Sequence, residues 1–212
     1  KSPNEIDVEG AVLRAKRFVI ASGCRPDIPS ISGIENVSYF TNETIFDNLN
    51  EKPGSIVIVG AGPIGCELGQ VFNRLGVHTT LVESLPQILG KEDRDVASFV
   101  QTQLESEGVN IKTETGIQLA EMRNDEIHLE GLQKGENGES KPVFLRTKTL
   151  LITAGRVPNI EGLNLEAAGI SYTEQGIPVN EYLQTSTPHI YAAGDIAGPY
   201  QFTHTADLQA RG

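Results

Sequence analysis

Short apolar runs alternate with amphipathic stretches through the middle of the chain. The runs at residues 56–59 and 79–82 have the length and β-branched composition of buried strands. Between them, apolar residues recur at helical spacing and predict a helix that ends at Gly76. Its predicted buried face consists of Ile64, Leu68, Val71, Phe72 and Leu75. Strand, helix and strand in this order are typical of a βαβ unit in a parallel sheet.

The same alternation continues beyond this unit. Residues 93–107 predict a second helix, and residues 109–113 predict a third parallel strand; the buried face of the helix is expected to contain Val96, Phe99, Val100 and Leu104. Alternating apolar and polar positions then predict an antiparallel meander over residues 115–122, 126–132 and 143–146, with its first turn at Asn124-Asp125. A buried strand over residues 149–153 follows.

Shorter elements are predicted on both sides of this region. Residues 5–22 have the pattern of a β-hairpin, in which residues 18–20 form a buried strand. Residues 189–193 predict another short buried strand, and residues 203–210 predict a helix. We expect the two buried strands to pair with each other.

A glycine motif lies between the first predicted strand and its helix. Gly60, Gly62 and Gly65 have the spacing G-x-G-x-x-G, with Pro63 at the start of the helix. Such glycines allow a sharp turn, close approach of the backbone to a pyrophosphate and tight packing of helix on strand. The next strand ends at Glu83, whose carboxylate can accept hydrogen bonds from the adenine ribose and would repel a 2′-phosphate. The motif therefore predicts a dinucleotide site that prefers NAD to NADP; the alternative is a glycine-rich turn without a ligand.

Composition narrows the remaining function classes. The net charge of −11 speaks against nucleic acid or an anionic membrane as partner, and no apolar run is long enough to span a bilayer. Cys24 and Cys66 match neither a zinc nor a C-x-x-C spacing, and we expect both to be small buried residues. With a polar start that resembles no signal peptide, the sequence favours a reducing, cytoplasmic location.

Four segments together resemble one family. They are FVIASGCRP (18–26), IVIVGAGPIGCELGQVFNRLG (56–76), LLITAGRVPN (150–159) and TSTPHIYAAGDIAG (185–198). In this order they are similar to the FAD-dependent pyridine nucleotide–disulfide oxidoreductases, such as dihydrolipoamide dehydrogenase and mercuric reductase. The resemblance implies an α/β fold: a Rossmann-like three-layer NAD-binding domain with a central parallel sheet and an antiparallel β-meander, flanked by incomplete strips of an FAD-binding domain.

The resemblance also implies roles for single residues. Besides the glycines and Glu83, it places Pro63 and Ile64 beside the nicotinamide, Glu67 near the contact of flavin and nicotinamide, and Gly155 over the NAD from the opposite strand. Asp195, after Gly194, would accept hydrogen bonds from the ribityl chain of FAD. The helix from residue 203 would point its N-terminus at the flavin ring. The implied cofactors are therefore NAD and FAD.

The implied division is residues 1–23 and 158–212 as remnants of the FAD domain, and residues 24–157 as the NAD(H)-binding domain. The whole enzyme would pass hydride between NAD(H) and FAD and then electrons to a disulfide or metal-ion substrate. The family's first glycine motif, its C-x-x-x-x-C pair and its C-terminal dimerisation domain are not found in this sequence. We expect a homodimer only for the full-length protein, and no reductase activity from this fragment alone.

No catalytic residue is expected in this chain. Its histidines share no spacing that predicts metal ligands or a general base; they are His78, His128, His189 and His204. Two alternatives stay open: a stand-alone dinucleotide-binding or sensing module, and a relative without redox cysteines, of the NADH oxidase or ferredoxin reductase type. Asp195 favours the disulfide reductase family over the stand-alone module, because its predicted role requires FAD.

Overall fold

The computed structural model describes residues 3–135 and 137–211; Lys1, Ser2, Glu136 and Gly212 lie outside the described residues. The chain divides into two compact units. The central unit is Pro26–Gly155, and the outer unit combines the chain up to Arg25 with the chain from Arg156. Within the described residues no helix has both the length and the apolar character that crossing a membrane requires.

The elements follow one another in chain order. The strands are β1 (Glu5–Val8), β2 (Ala11–Arg14), β3 (Phe18–Ile20), β4 (Cys24–Pro26), β5 (Phe40–Thr41), β6 (Ser55–Val59), β7 (His78–Val82), β8 (Asn110–Lys112), β9 (Thr115–Arg123), β10 (Glu126–Lys134), β11 (Ser140–Thr147), β12 (Thr149–Ile152), β13 (Arg156–Pro158) and β14 (Ile190–Ala192). The α-helices are α1 (Ile45–Asn48), α2 (Pro63–Arg74), α3 (Arg94–Ser106) and α4 (Thr203–Arg211).

The central unit has three layers. Its middle layer is a parallel sheet in the order β5-β12-β6-β7-β8. Because side chains alternate along a strand, Ile56 and Ile58 of β6 pack into the cluster that contains residues of α2 and α3. Val57 and Val59 pack into a second cluster with residues of the antiparallel meander β9-β10-β11. The predicted α/β fold with a central parallel sheet and an antiparallel meander is confirmed.

The predicted buried faces of the two long helices are partly wrong. In α2 the buried residues are Gly65, Cys66 and Gly69, with Leu68 and Phe72 half-buried beside them, whereas Val71 and Leu75 are exposed. A Cβ at Gly69 would lie 3.1 Å from the side chain of Leu81, so the helix lies close to the sheet along a stripe of small residues. In α3 the buried residues are Ala97 and Leu104, and the predicted core residues Val96 and Phe99 are exposed.

In the outer unit β1 pairs with β2, β4 with β13, and β3 with β14. The hairpin prediction holds for β1 and β2, and the predicted pairing of the two short strands is confirmed, since β3 and β14 run parallel. The expectation that both are buried is right for Ile190 and Ala192 but wrong for β3, where Val19 is 66% exposed. Among its described residues α4 has no buried side chain.

Candidate functional site

The glycine turn of the central unit follows β6. The backbone N–H and C=O groups of Gly60 and Ala61 are all hydrogen-bonded to other groups of the protein. The Gly60 N–H donates to the Val82 carbonyl at 2.8 Å, and the Ala61 carbonyl accepts from the Leu89 N–H at 2.8 Å. The carbonyl of Gly60 accepts from the Thr153 hydroxyl at 2.7 Å. The Ala61 N–H donates to Oε2 of Glu83 at 2.8 Å.

The three glycines of the motif are needed for different reasons. Gly60 has a φ of +104°, and a Cβ there would lie 2.6 Å from the backbone of Thr153 and Ala154. At Gly65 a Cβ would lie 2.0 Å from the Gly60 carbonyl oxygen, so the close packing of α2 on the turn requires glycine. A Cβ at Gly62 would meet nothing within 4 Å. The fold therefore requires glycine at Gly60 and Gly65, but the space beside Gly62 is open.

The open space beside Gly62 lies at the beginning of α2. Pro63 occupies the first helical turn and is exposed, and Ile64 is half-buried. None of the hydrogen bonds between described residues uses the amide N–H of Gly62, Ile64 or Gly65, while Cys66 already donates to the Gly62 carbonyl. Unpaired N–H groups and the positive end of the helix dipole attract anions.

Glu83 is placed by the end of β7 and holds the loop. Besides the bond to Ala61, its Oε1 accepts from the Leu85 N–H at 3.0 Å and from the Ser84 hydroxyl at 3.3 Å. The side chain is half-buried. Since each carboxylate oxygen offers two acceptor positions, Oε2 keeps one position for a hydroxyl group. The carboxylate predicted to bind the ribose therefore also fixes the turn, a contact that the sequence motif alone does not reveal.

The other predicted residues of the central unit lie apart from this hydrogen-bond network. Glu67 is exposed on α2, one turn beyond the glycine motif. Gly155 ends the unit, and its carbonyl accepts from the Asp27 N–H at 2.9 Å. A Cβ at Gly155 would be in ordinary contact with Asp27, 3.4 Å away. Close packing therefore gives no reason for glycine at this position.

In the outer unit, Gly194 and Asp195 begin a short 3-10 turn, Gly194–Ala197. The N–H of Gly194, whose φ is +77°, donates to Oε1 of Gln209 in α4 at 2.7 Å. The Asp195 carboxylate is paired with Arg156, with Nη2 and Oδ2 separated by 2.5 Å. No sequence motif predicts the contact of Arg156 with Asp195, because the two residues are far apart in the chain.

Both cysteines are buried and free, as predicted. Burial raises the pKa of the Cys66 thiol to about 12, and the carboxylates of Glu83 and Glu67 act in the same direction. Burial and then the Asp195 carboxylate raise the pKa of Cys24, against the smaller effects of Arg156 and a hydrogen bond from Gln201. Since the thiolate is the nucleophile, neither thiol is suited to redox exchange at neutral pH.

The histidines and acids of the described chain do not assemble into a metal site. No group of three or more metal-ligating side chains occurs among residues 3–135 and 137–211. His189 is bonded through Nε2 to the Pro3 carbonyl at 2.8 Å, and His204 stacks on Phe202 with centroids 5.3 Å apart.

The residues present fit the cofactors that the sequence implies. The open space at Gly62, the unpaired N–H groups of α2 and the remaining acceptor of Glu83 suit a diphosphate and an adjacent ribose. In the outer unit the Asp195 carboxylate has more acceptor positions than the ion pair with Arg156 uses, which suits a polyhydroxyl chain. The two sets belong to different units.

Comparison with known proteins supports one family. Residues 1–210 match the family described as pyridine nucleotide-disulphide oxidoreductase. The chain is 37% identical over 208 residues to dihydrolipoyl dehydrogenase of Thermus scotoductus, covering 97% of this chain and 44% of that protein. It is 35% identical over 202 residues to mercuric reductase of Lysinibacillus sphaericus, covering 95% of this chain and 36% of that protein.

A solved structure gives the same result. The HOCl-induced flavoprotein disulfide reductase RclA from Escherichia coli superimposes with a TM-score of 0.85 at 28% identity, over 99% of this chain and 46% of that one. The chain spans less than half the length of each of these three relatives. Members of the family use FAD and NAD(P)H. The chain belongs to the pyridine nucleotide–disulphide oxidoreductase family.

Proposed function

We propose that the central unit is the NAD(H)-binding domain of a flavin-dependent oxidoreductase. The proposal rests on the difference between the three glycines in the space that a Cβ would find. Gly60 and Gly65 are required by protein contacts, whereas the Cβ of any other residue at Gly62 would project into open space. That space adjoins the unpaired N–H groups at the start of α2. A pyrophosphate that approaches the backbone closely explains a glycine that the fold does not need.

Within this domain each residue has a distinct task. The amides of Gly62, Ile64 and Gly65 bind the pyrophosphate, and Glu83 accepts a hydrogen bond from the adenine ribose. Pro63, Ile64, Glu67 and Gly155 are proposed to border the nicotinamide half of the NAD. Because Glu83 is negatively charged, it disfavours the 2′-phosphate of NADP; a pair of charges at 4 Å costs about 1 kcal/mol in water and about 4 kcal/mol near a protein surface.

The outer unit is proposed to contribute the strips of an FAD domain, formed by residues 1–23 and 158–212. There Gly194 and Asp195 would hold the ribityl chain, and Arg156, which lies just before the second strip, would keep the carboxylate in place. FAD, when bound in the whole protein, accepts hydride and passes electrons on to a disulfide or metal-ion substrate. Family members are typically homodimers, and we propose the same for the whole protein.

Titration of the purified chain with NADH and with NADPH tests the nucleotide assignment. We expect NADH to bind at least about tenfold more tightly than NADPH, because a charge repulsion of about 1.4 kcal/mol is a tenfold difference in Kd. Glu83→Gln should reduce this ratio, while Glu92→Gln, at an exposed position in the loop that follows, should leave it unchanged. Equal binding of NADH and NADPH would refute the NAD preference. Failure of both to bind would refute the domain assignment.

A further inference from the structure

We propose that Thr153 is a positioning residue for the dinucleotide loop, and that its hydroxyl sets the affinity of the central unit for NAD(H). This inference rests on the proposed function of that unit. Thr153 directly follows β12, whereas the glycine turn directly follows β6, the neighbouring strand. No sequence motif connects the two positions.

The geometry concerns one peptide group. The carbonyl of Gly60 and the N–H of Ala61 belong to the same peptide plane. Its oxygen accepts from the Thr153 hydroxyl at 2.7 Å, and its N–H donates to the Glu83 carboxylate at 2.8 Å. Both polar ends of this peptide are therefore held by side chains, from two different strand ends.

Gly60 is buried, and among the described residues no donor other than Thr153 is hydrogen-bonded to its carbonyl. The first turn of α2 also lies against this oxygen, because a Cβ at Gly65 would be only 2.0 Å from it. A Cβ at Gly65 would also lie 2.9 Å from the Thr153 hydroxyl. The hydroxyl thus lies where β6, β12 and α2 meet.

The orientation of this peptide determines where the next amides point. Gly62 follows Ala61 directly and Ile64 lies two residues further on; their N–H groups are unpaired donors of the proposed pyrophosphate site. A buried carbonyl without a partner is costly and favours rotation of the peptide. Loss of the Thr153 hydroxyl would therefore displace the donors without removing any of them, and binding would have to restore their positions.

Thr147 offers a matched control. Thr147 is 1% exposed, and its hydroxyl lies 2.9 Å from the Thr149 carbonyl oxygen and 3.2 Å from the Ser55 carbonyl oxygen, at the opposite end of β6 from Gly60. Thr147→Val and Thr153→Val make the same chemical change within the same central unit. Only Thr153 contacts the glycine turn. A loss of stability alone should therefore occur in both variants, whereas a loss of NADH affinity caused by displaced amides should occur only in Thr153→Val.

The experiment measures the Kd for NADH and the melting temperature of wild type, Thr153→Val, Thr153→Ser and Thr147→Val. We expect the Kd of Thr153→Val to rise by about tenfold, the loss of one hydrogen bond to a buried carbonyl. Thr153→Ser keeps the hydroxyl and should bind within about twofold of wild type, a small fraction of that effect. Thr147→Val should have a lower melting temperature than wild type and keep the wild-type Kd. Thr153→Val with the wild-type Kd, or an equal rise of Kd in Thr147→Val, would overturn the proposal.

Residue-resolved hydrogen exchange without nucleotide separates this inference from the proposed function. The amide of Ala61 should exchange faster in Thr153→Val than in wild type, Thr153→Ser or Thr147→Val. If wild type fails to bind NADH, the proposed function is wrong. Faster exchange of Ala61 would then still support the anchoring role of Thr153, and unchanged exchange would refute it.

Discussion

Replacing Gly62 by alanine should separate the stability of the central unit from its binding of NAD(H). Gly62 has φ −72° and ψ −173°, a conformation that alanine adopts without strain. Its Cβ would meet no atom within 4 Å. Because alanine restricts the unfolded chain more than glycine does, we expect the free energy of unfolding to stay the same or rise by about 0.4–1 kcal/mol.

The effect on binding should be opposite and larger. The added methyl group occupies the space through which the pyrophosphate would approach the amides of Gly62 and Ile64. Loss of one hydrogen bond to a charged group costs about 1.5–3 kcal/mol, which raises the Kd for NADH roughly ten- to hundredfold. Gly65→Ala should behave differently, because its Cβ would be 2.0 Å from a backbone oxygen. Such overpacking costs about 1–3 kcal/mol of stability.

The assay combines thermal unfolding without nucleotide and fluorescence titration with NADH for wild type, Gly62→Ala and Gly65→Ala. Gly54→Ala is the control, since Gly54 precedes β6, and a Cβ there also meets nothing within 4 Å. We expect this control to keep the wild-type Kd. A Gly62→Ala variant that binds NADH as tightly as wild type would show that the open space is not the pyrophosphate site.

Three further predictions concern an ion pair, the reactivity of a buried thiol and the order in which the two units are cleaved by a protease. Arg74 lowers the pKa of Glu107 from 4.5 to about 2. The ion pair therefore stabilises the fold fully above the ordinary pKa of the carboxyl group, and this stabilisation is lost as the pH falls through about 2. Glu107→Gln should therefore lower the urea midpoint at pH 7, and the difference from wild type should narrow at pH 3; an equal difference at both pH values contradicts this. With its pKa raised to about 12, Cys66 should resist iodoacetamide at pH 8 in the folded chain and react in urea, as followed by mass spectrometry; labelling of the native thiol would disprove the assignment. Limited proteolysis should cut first in the outer unit, where α4 buries no side chain and Val19 is 66% exposed; equally early cuts in the central unit would argue against this order of stability.

Local patterns were sufficient where a few neighbouring residues impose a structure. The apolar runs predicted β6 and β7, and the glycine spacing with Pro63 predicted where α2 begins. Asn124 and Asp125 predicted the turn between β9 and β10, and both have positive φ, at 51° and 61°. Each of these signals acts through the conformational preference of its own residues, and tertiary contacts reinforce it.

Helix faces were harder to predict for a physical reason. Periodicity assigns the largest apolar residues to the core, which selected Val71 and Phe99. In the structure α2 instead packs on the sheet through its small residues, because Gly65 and Gly69 allow the helix axis to lie close to the sheet. The closeness of that approach depends on the partner surface, which the helix sequence does not contain.

The amino-acid sequence by itself determined the order of strands and helices from β6 to β12, the glycine turn and the acid that follows β7, because these depend on residues close together in the chain. Only the tertiary structure decided how that turn is held. Thr153 reaches Gly60 across 93 positions of the chain, and Glu83 reaches Ala61 across 22. Such contacts exist because parallel strands bring their carboxyl ends to one edge of the sheet. No local pattern encodes which side chains meet at that edge.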